Sequence, residues 1–519
     1  MPPAPSPVPT GDASHIRDRG DACPGALRLH TADDGALARV RIPAGALTAR
    51  QADALADAAE RLGDGNLDLT SRGNVQLRGL AADCGAELAR ALHDAGLLPA
   101  PRHERVRNIV ASPLSGLDGS RPDVQPWARS LDELLCASES ATELSGRFLF
   151  ACDDGRGDVA ALGADVTVLA ERSGRQALVR IGAGPAAVRV AAADAARAAL
   201  LAAEVFLAVA REGWREGGGT RAWRVRDLGV GVAGAGGGSG AGGAGVSAEA
   251  VSGASPEPGA GLAAGQAPGL PGASDPGLPA GAASGLPAEP APGPPVGQDA
   301  LSAPGFARWL TAHGIDARYE PEPPAALRPG AERGLAPTPG LIPAPDGRAA
   351  LSVLAPLGRL TSAQWRKLAA IAAEYGSGGL RVTPWRGVVL PGVPAGAAPR
   401  LLAELDDAGL VTTPGSPWLG VGACTGRPGC AKSLSDVRAD ASAARDAGSG
   451  GLPVHWSGCE RRCGHPQGTS WVDVVATPDG YDISAHGAPV RRGVQPTELA
   501  DALAAARITP AQQSTPAQQ

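Results

Sequence analysis

The feature that most restricts the fold is a duplication. Adding 313 to the residue number lays one stretch of the chain over another without a gap. Pro43, Gly45, Leu47, Thr48, Gln51 and Leu55 recur as Pro356, Gly358, Leu360, Thr361, Gln364 and Leu368. Gly63, Leu67, Thr70, Val75, Leu77 and Gly79 recur as Gly376, Leu380, Thr383, Val388, Leu390 and Gly392, and Asp94-Ala95-Gly96-Leu97 returns as Asp407-Ala408-Gly409-Leu410. An Ala- and Leu-rich composition supplies chance matches at those two residues. It does not hold Gly and Thr in register from Pro43 to Leu97. The expected molecule is a pseudo-twofold pair of units with a ligand between the halves.

The unit itself is legible. Arg39 to Ile42 alternates as a strand does, and Thr48 opens a helix with Leu55, Ala58, Ala59 and Leu62 on its apolar face. Gly63 to Asn66 ends that helix. Leu67, Leu69, Val75 and Leu77 predict two strands joined around Ser71 to Asn74, and Cys84 to Ala95 predicts a second helix closed by Gly96. The pattern is β-α-β-β-α, with an α/β portion expected to follow each copy.

Composition matters for what is not core. The chain has 519 residues with 73 Gly and 48 Pro but only four Phe and three Tyr. Much of that excess lies between Gly229 and Ala303, which contains no Lys, Arg or aromatic residue. Such a segment cannot bury enough apolar surface to offset the entropy of ordering its backbone, so 229–303 is expected to be a disordered linker near the junction of the halves. Residues 1–20 and the tail 509–519 are expected to be disordered too. No apolar run approaches the roughly 18 residues of a membrane span, and the N-terminus lacks a basic stretch followed by an apolar one, so a cytoplasmic protein is expected. A net charge of −6 gives no support to nucleic-acid binding. Lys367 and Lys432 are the only lysines among 47 basic residues, a bias that reads as genome base composition.

Duplicates inform most where they differ, because the fold needs what they share. Arg41, Arg72, Gln76 and Arg78 of the first copy stand opposite Leu354, Trp385, Val389 and Pro391 of the second. Three guanidinium groups on neighbouring strands repel one another unless an anion or acidic side chains lie between them. Two readings follow: a bound anion, or a solvated face paired with nearby acids.

Four of the eight cysteines are clustered. Cys424 and Cys430 have five residues between them, and Cys459 and Cys463 have three. Two short loops that present four thiolates point to an iron-sulfur cluster, with structural zinc as the competing occupant; five residues is long for a zinc knuckle. Disulfides are disfavoured in a reducing compartment. Cys23, Cys84, Cys136 and Cys152 are scattered singly and read as small buried residues.

These motifs resemble the nitrite and sulfite reductase superfamily. Arg41-Ile42-Pro43-Ala44-Gly45 is similar to its Arg-Leu-Pro-Gly-Gly, Thr70-Ser71-Arg72 with Gln76 to its Thr-x-Arg-Gln-x-x-x-Gln, and Arg107-Asn108-Ile109 to its Arg-Asn-Val. Cys424, Cys430, Cys459 and Cys463 match its Cys-x5-Cys and Cys-x3-Cys cluster. The resemblance implies an α+β protein with ferredoxin-like half-domains at 21–100 and 304–415. It implies α/β cluster and tetrapyrrole domains at 101–228 and 416–508.

Within the superfamily, Asp21-Ala22-Cys23-Pro24-Gly25-Ala26-Leu27 and Gly426-Arg427-Pro428-Gly429-Cys430-Ala431-Lys432 are similar to the precorrin-3B synthase branch. A departure points the same way. Where the reductases have a Lys-x-Lys pair for their oxyanion beside sirohaem, this chain reads Ser145-Gly146-Arg147-Phe148-Leu149-Phe150, and Arg78 replaces a family His. Loss of a cation argues against proton-rich reduction of a small oxyanion.

That branch implies conversion of precorrin-3A with dioxygen by hydroxylation at a meso carbon and γ-lactone formation. It also implies a 4Fe-4S cluster on the four cysteines, a non-haem iron whose ligands do not stand out, and an outside electron donor, a reductase or ferredoxin fed by NAD(P)H. Arg41, Thr70, Arg72, Gln76, Arg78, Arg107, Asn108 and Arg147 are the implied substrate-binding residues, with Arg107 and Arg147 as the catalytic ones, in an expected monomer that binds neither membrane nor nucleic acid. The alternatives are a sirohaem-dependent sulfite or nitrite reductase and a non-catalytic iron-sulfur protein that binds a tetrapyrrole.

Overall fold

A computed structural model describes residues 23–184, 186–215, 222–228, 297–322, 336–445, 451–466, 470–485 and 488–507. The expected disordered spans 1–20 and 509–519, and the part of the expected linker from 229 to 296, lie outside the described residues.

The first copy of the repeat runs β1 (His30–Ala32), β2 (Gly35–Val40), β3 (Ala46–Thr48), α1 (Ala49–Leu62), β4 (Asn66–Leu69), β5 (Val75–Leu80) and α2 (Gly85–Asp94). The first α/β domain follows with β6 (Ile109–Ala111), α3 (Gln125–Ala137), β7 (Phe150–Asp153), β8 (Val166–Ala170), β9 (Gln176–Ile181), β10 (Ala187–Ala191), α4 (Ala195–Arg215), α5 (Ala303–Ala312) and β11 (Arg318–Glu320). The second copy comprises β12 (Gly340–Pro343), β13 (Arg348–Leu354), β14 (Arg359–Thr361), α6 (Ser362–Glu374), β15 (Gly379–Val382), β16 (Gly387–Pro394) and α7 (Ala398–Asp407). The last domain has β17 (Val421–Ala423), α8 (Val437–Ala443), β18 (Val454–Ser457), β19 (Val472–Thr477), β20 (Gly480–Ala485), β21 (Ala488–Val494) and α9 (Leu499–Ala506).

The repeated residues have repeated jobs. Thr48 and Thr361 each cap a helix, accepting from the backbone N–H of Gln51 and Gln364, whose side chains reach back to the cap. Ala44 and Leu357 both sit in the left-handed region, at φ 58° and 54°. The glycine after Ala44 is needed because the copies touch there: a Cβ on Gly45 would lie 1.9 Å from the Val382 carbonyl oxygen.

That close approach belongs to an exchange of strands. The two repeat sheets are ordered β1-β2-β5-β4-β14 and β12-β13-β16-β15-β3, so each is completed by a strand of the other copy. Leu360 pairs with Leu67, and Leu47 with Leu380. α1 and α6 pack together over one shared core. Trp365 donates its indole N–H to the Ala52 carbonyl at 2.8 Å. Residues 52 and 365 are equivalent under the 313 shift, so the pseudo-dyad passes between them.

The α/β domains repeat each other as well, although their sequences no longer match. One sheet is ordered β11-β10-β9-β8-β7-β6 and the other β17-β18-β19-β20-β21. In each, the first three strands in chain order are parallel and the rest antiparallel. Among the described residues no helix is long and apolar enough to cross a membrane.

Two expected boundaries are corrected. Residues 304–320 do not open the second half-domain: α5 and β11 complete the first α/β domain, with Phe306, Leu310 and Ile315 in its core and β11 paired to β10. An amphipathic helix takes the nearest open apolar face, and that face belongs to the sheet preceding the linker. Residues 297–303, expected to be disordered, are also ordered; Leu301 is buried in that core, and Ser302 caps α5 by accepting from the Gly305 N–H. The linker therefore interrupts the first α/β domain instead of separating the halves.

Replacing Trp365 with Ala is expected to cost about 3–5 kcal/mol through the cavity left on the pseudo-dyad. Trp365→Phe, which keeps most of the packing, should cost roughly 1 kcal/mol for the lost indole bond. Urea denaturation midpoints of the two variants check the order.

Candidate functional site

Parallel pairing of β17 with β18 sets their C-terminal ends side by side, and the cysteine loops leave from those ends. Cys424 follows β17 directly, and its sulfur accepts the Gly458 N–H at 3.2 Å from the end of β18. A Cβ on Gly458 would strike Ser433 Oγ at 1.8 Å, so only glycine lets the two loops meet. Burial pushes the Cys424 thiol up, and Cys459 and Cys430 push it further. Cys463 is raised by burial and then by all three of the others. The four sulfurs therefore share one site, where a cation would relieve their mutual repulsion.

The spacing of the sulfurs bears on its occupant. Among the described residues the one group of three or more metal-capable side chains with donor atoms within 4.8 Å of one another is Asp153, Asp154 and Asp158. No three of the four sulfurs are that close. A zinc ion about 2.3 Å from each sulfur would hold them roughly 3.8 Å apart. Wider spacing suits a larger object, and the all-thiolate donor set suits an iron-sulfur cluster.

The loops are gripped from outside. Arg78 pairs with Asp34 through two bonds of 2.8 Å and donates a third, also 2.8 Å, to the Gly429 carbonyl beside Cys430. Asp33 accepts the Ala431 N–H on the other side of Cys430. Arg438 bonds Asp68 at 2.9 Å and the Cys424 carbonyl at 3.3 Å. His455 is buried, which pulls its imidazole down to about 4, and its Nε2 lies 3.0 Å from the Cys463 carbonyl; a neutral ring with the proton there donates.

The first half-domain also carries a group of guanidiniums with no carboxylate in salt-bridge reach among the described residues. Arg41 is 3% exposed; it donates only to the Arg105 and Pro24 carbonyls, at 3.3 and 3.4 Å, and its buried Nη1 has no partner. Burial, then Arg39 and Arg72, pull its pKa down to about 9. Arg72 donates to the Gly146 carbonyl at 3.2 Å and is pulled down to about 10 by burial and then by Arg224. Arg39 bonds the Gln76 side-chain oxygen at 3.1 Å, and its Nε is buried without a partner. Buried positive charge of this kind is costly unless an anion completes it.

Of the residues expected at the site, Arg41, Arg72 and Gln76 lie in this group. Arg147 is brought alongside: the Gly146 carbonyl accepts from both Arg72 and Asn108, and the Arg147 guanidinium lies over the Trp223 ring at 4.4 Å. The others are engaged in the fold. Thr70 Oγ accepts the Arg72 and Asn74 N–H groups and holds the turn. Asn108 ties the Arg105 and Gly146 carbonyls. Arg107 is paired to Asp132 at 2.7 and 2.6 Å and donates to the Leu97 carbonyl, while Arg78 is held by Asp34. For Arg78 and Arg107, pairing with acids is what the structure has. Sequence reasoning missed Arg39, although the signal was there: its counterpart is the uncharged Ser352.

The first α/β domain shows what occupies the place of the cysteine centre there. Ser112 follows β6 as Cys424 follows β17, and it accepts the Asp154 N–H at 3.1 Å, the bond that Gly458 makes to Cys424. Its hydroxyl donates to Asp158 at 2.6 Å, and Asp153 accepts the Gly155, Gly157 and Ala160 N–H groups. Burial and then Asp153 raise Asp158 to about 8.

Comparison with known proteins follows the same outline. The model of the nitrite/sulfite reductase ferredoxin-like half domain matches twice, at residues 30–95 and 342–408. The chain is 26% identical over 493 residues to a ferredoxin–nitrite reductase of Synechococcus elongatus, covering 90% of this chain and 78% of that one. It is 37% identical over 164 residues to a precorrin-3B synthase of a Sinorhizobium species, covering 31% and 35% of the two. Among solved structures, that of the Mycobacterium tuberculosis NirA protein has the same fold, with a TM-score of 0.56 at 18% identity over 90% of this chain and 79% of that one. The fold is thus nitrite/sulfite reductase-like, with duplicated ferredoxin-like half domains.

A raised carboxyl makes a pH test. Because the Asp158 pKa is higher folded than unfolded, the stability linked to its proton is complete below about pH 4 and is lost as pH rises through about 8. Asp158→Asn should remove a decline of about 2–5 kcal/mol between pH 5 and pH 9, read from urea unfolding at both.

Proposed function

We propose that this member of the nitrite/sulfite reductase superfamily acts on a carboxylate-rimmed tetrapyrrole, and that the substrate is precorrin-3A, converted to precorrin-3B. The observation that carries the reading is the set of guanidiniums on Arg39, Arg41 and Arg72, buried together with no carboxylate in salt-bridge reach among the described residues. Guanidiniums pair with ring carboxylates in bidentate geometry, and here Glu104 and Asp165 act on Arg41 and Arg72 only from beyond salt-bridge distance, which leaves their donors open to such a ligand. Arg147, fixed on Trp223 at the edge of the group, is placed to orient a further carboxylate.

The oxygenase reading rests on the loop that presents Arg147. In the reductases that the chain resembles, two lysines serve the oxyanion at this loop. Here the second position is Leu149, 3% exposed and packed with Val110, Ala151, Val159 and Ala164. A site with one cation fewer supplies less charge and fewer protons to a small oxyanion. The partial similarity to a precorrin-3B synthase agrees.

In the proposed reaction one atom of dioxygen enters the macrocycle as hydroxyl, the other leaves as water, and a ring acetate closes the lactone. Two electrons and two protons come from outside. Cys424, Cys430, Cys459 and Cys463 would hold a 4Fe-4S cluster, which supplies one-electron transfer from a ferredoxin or reductase. The chain's own residues bind and orient: Arg39, Arg41 and Arg72 hold carboxylates, Gln76 holds Arg39, and Asn108 fixes the Gly146 carbonyl that carries Arg147 into place. A cytoplasmic setting fits eight cysteines that form no disulfide.

Similarity to a nitrite reductase along most of the chain favours a second reading, a sirohaem-dependent reductase. Anaerobically purified protein separates the two. Formation of a lactone from precorrin-3A, oxygen and a competent donor supports the first, whereas a sirohaem Soret band with nitrite or sulfite turnover sinks it. Arg41→Met and Arg72→Met are expected to raise the KM for precorrin-3A roughly tenfold each, the loss of about 1.4 kcal/mol of charge-assisted bonding, with smaller effects on kcat. Cys430→Ser should abolish iron-sulfur absorption and turnover together.

A further inference from the structure

We infer that Arg78 is a positioning residue of the cysteine centre, and that through it the half-domain carrying the anion pocket holds Cys430 in place. The inference rests on the four cysteines being a cluster site, but not on which tetrapyrrole is the substrate.

Arg78 lies on β5, 5% exposed; its Nε and Nη2 donate to the Asp34 carboxylate, and Nη2 also donates to the Gly429 carbonyl. Asp33, the neighbour of Asp34 in the turn between β1 and β2, takes the Ala431 N–H. The backbone on both sides of Cys430 is therefore held by one turn of the first half-domain, once through Arg78 and once directly. Gly429 makes the first contact possible. A Cβ there would stand 2.7 Å from Asp34 Oδ2 and 3.0 Å from Arg78 Nη2, which would drive the ion pair off the loop.

A second tie runs parallel to the first. Asp68 on β4 holds Arg438, which holds the Cys424 carbonyl. Both ligands of the first cysteine pair are thus fixed from strands of the opposite end of the chain.

The duplication shows that these ties are particular to this side. Asp34, Asp68 and Arg78 correspond to Gly347, Arg381 and Pro391. Arg381 reaches the Pro113 and Ser115 carbonyls, both at 2.8 Å, in the loop after β6. Each half-domain therefore braces the loop after the first strand of one α/β domain, but only the first half-domain brackets a cysteine. An ion pair of low exposure is costly to break from one side, because the remaining charge stays buried and unpaired. With the pair intact, Arg78 carries little net charge toward a ligand, so its part is to hold the loop.

Whole protein, purified without air, tests this by iron and acid-labile sulfide per chain, release of iron to a chelator, and the electron paramagnetic resonance spectrum of the reduced cluster. Arg78→Met is expected to release iron roughly tenfold faster than the parent and to change the spectrum, as loss of a residue that orients a ligand does. Asp34→Asn should have a smaller effect in the same direction, and Arg78→Lys should recover part of the loss. Arg61→Met, which breaks the exposed pair with Glu87, should match the parent. Should Arg78→Met fail to fold by circular dichroism, Asp34→Asn decides. A parent-like spectrum, iron content and release rate in the folded variants would overturn the inference. Parent protein without iron-sulfur absorption would overturn the cluster reading beneath it, whatever the variants do.

Discussion

Two short strands that cross between the copies govern the rest of the structure. β3 finishes the sheet of the second copy and β14 that of the first, so neither sheet is complete on its own chain segment. An uncovered edge is a liability, and each copy answers the other's. The exchange also fixes where everything else points. With α1 and α6 packed on one dyad and Trp365 bonded to Ala52, the turns between β4 and β5 and between β15 and β16 both reach the first α/β domain, one through Arg72 on the Gly146 carbonyl and the other through Trp385 against Val110 and Leu149. Residues of both half-domains thereby meet the first α/β domain, while Asp33, Asp68 and Arg78 reach the last one.

The symmetry of the two copies is broken by charge. Arg39, Arg41, Arg72 and Arg78 have Ser352, Leu354, Trp385 and Pro391 as counterparts, and the structure divides these four into two kinds. Arg78 has a carboxylate, Asp34; among the described residues the other three have none in salt-bridge reach. Guanidiniums that look alike in sequence thus differ: one completes a fixed ion pair and shapes a loop, while the other three donate to carbonyl and amide oxygens. The cysteine centre is asymmetric in the same way. Ser112 and Cys424 stand at one topological position and accept one equivalent backbone bond. On one side, however, the loops close on hydrogen-bonded carboxylates, and on the other they hold four sulfurs apart.

How much of this was legible follows from what each interaction needs. Thr48 with Gln51, Gly96, and the hairpin at Ser71 to Asn74 are local, so their residues announce them. The 313 shift announced the two half-domains for the same reason, since caps and turns are kept when a unit is copied. Strand exchange was invisible, because Leu47 and Leu67 read as ordinary strand residues whichever sheet they join. The end of the linker was misjudged where composition stopped being a guide: Leu301 and Ser302 sit in a Gly- and Ala-rich stretch but bury and cap against a sheet formed more than a hundred residues earlier. The cysteines were legible from spacing alone. Which arginines were free was not, because that depends on Asp34 and Asp132, whose approach is set by the fold.

The two ties from the first half-domain have a further consequence for how the site assembles. The cysteine loops belong to the last domain, yet Gly429, Ala431 and the Cys424 carbonyl are held by groups from residues 33 to 78 or by Arg438 paired with them. Filling the cysteine centre would order the first loop and so favour the arrangement in which Asp34 and Arg78 are paired. β5 itself is held between β2 and β4, and its Gln76 accepts from Arg39. The shared core around Trp365 is closed by exchanged strands within the half-domains, whereas the cysteine loops depend on ties that cross from one end of the chain to the other.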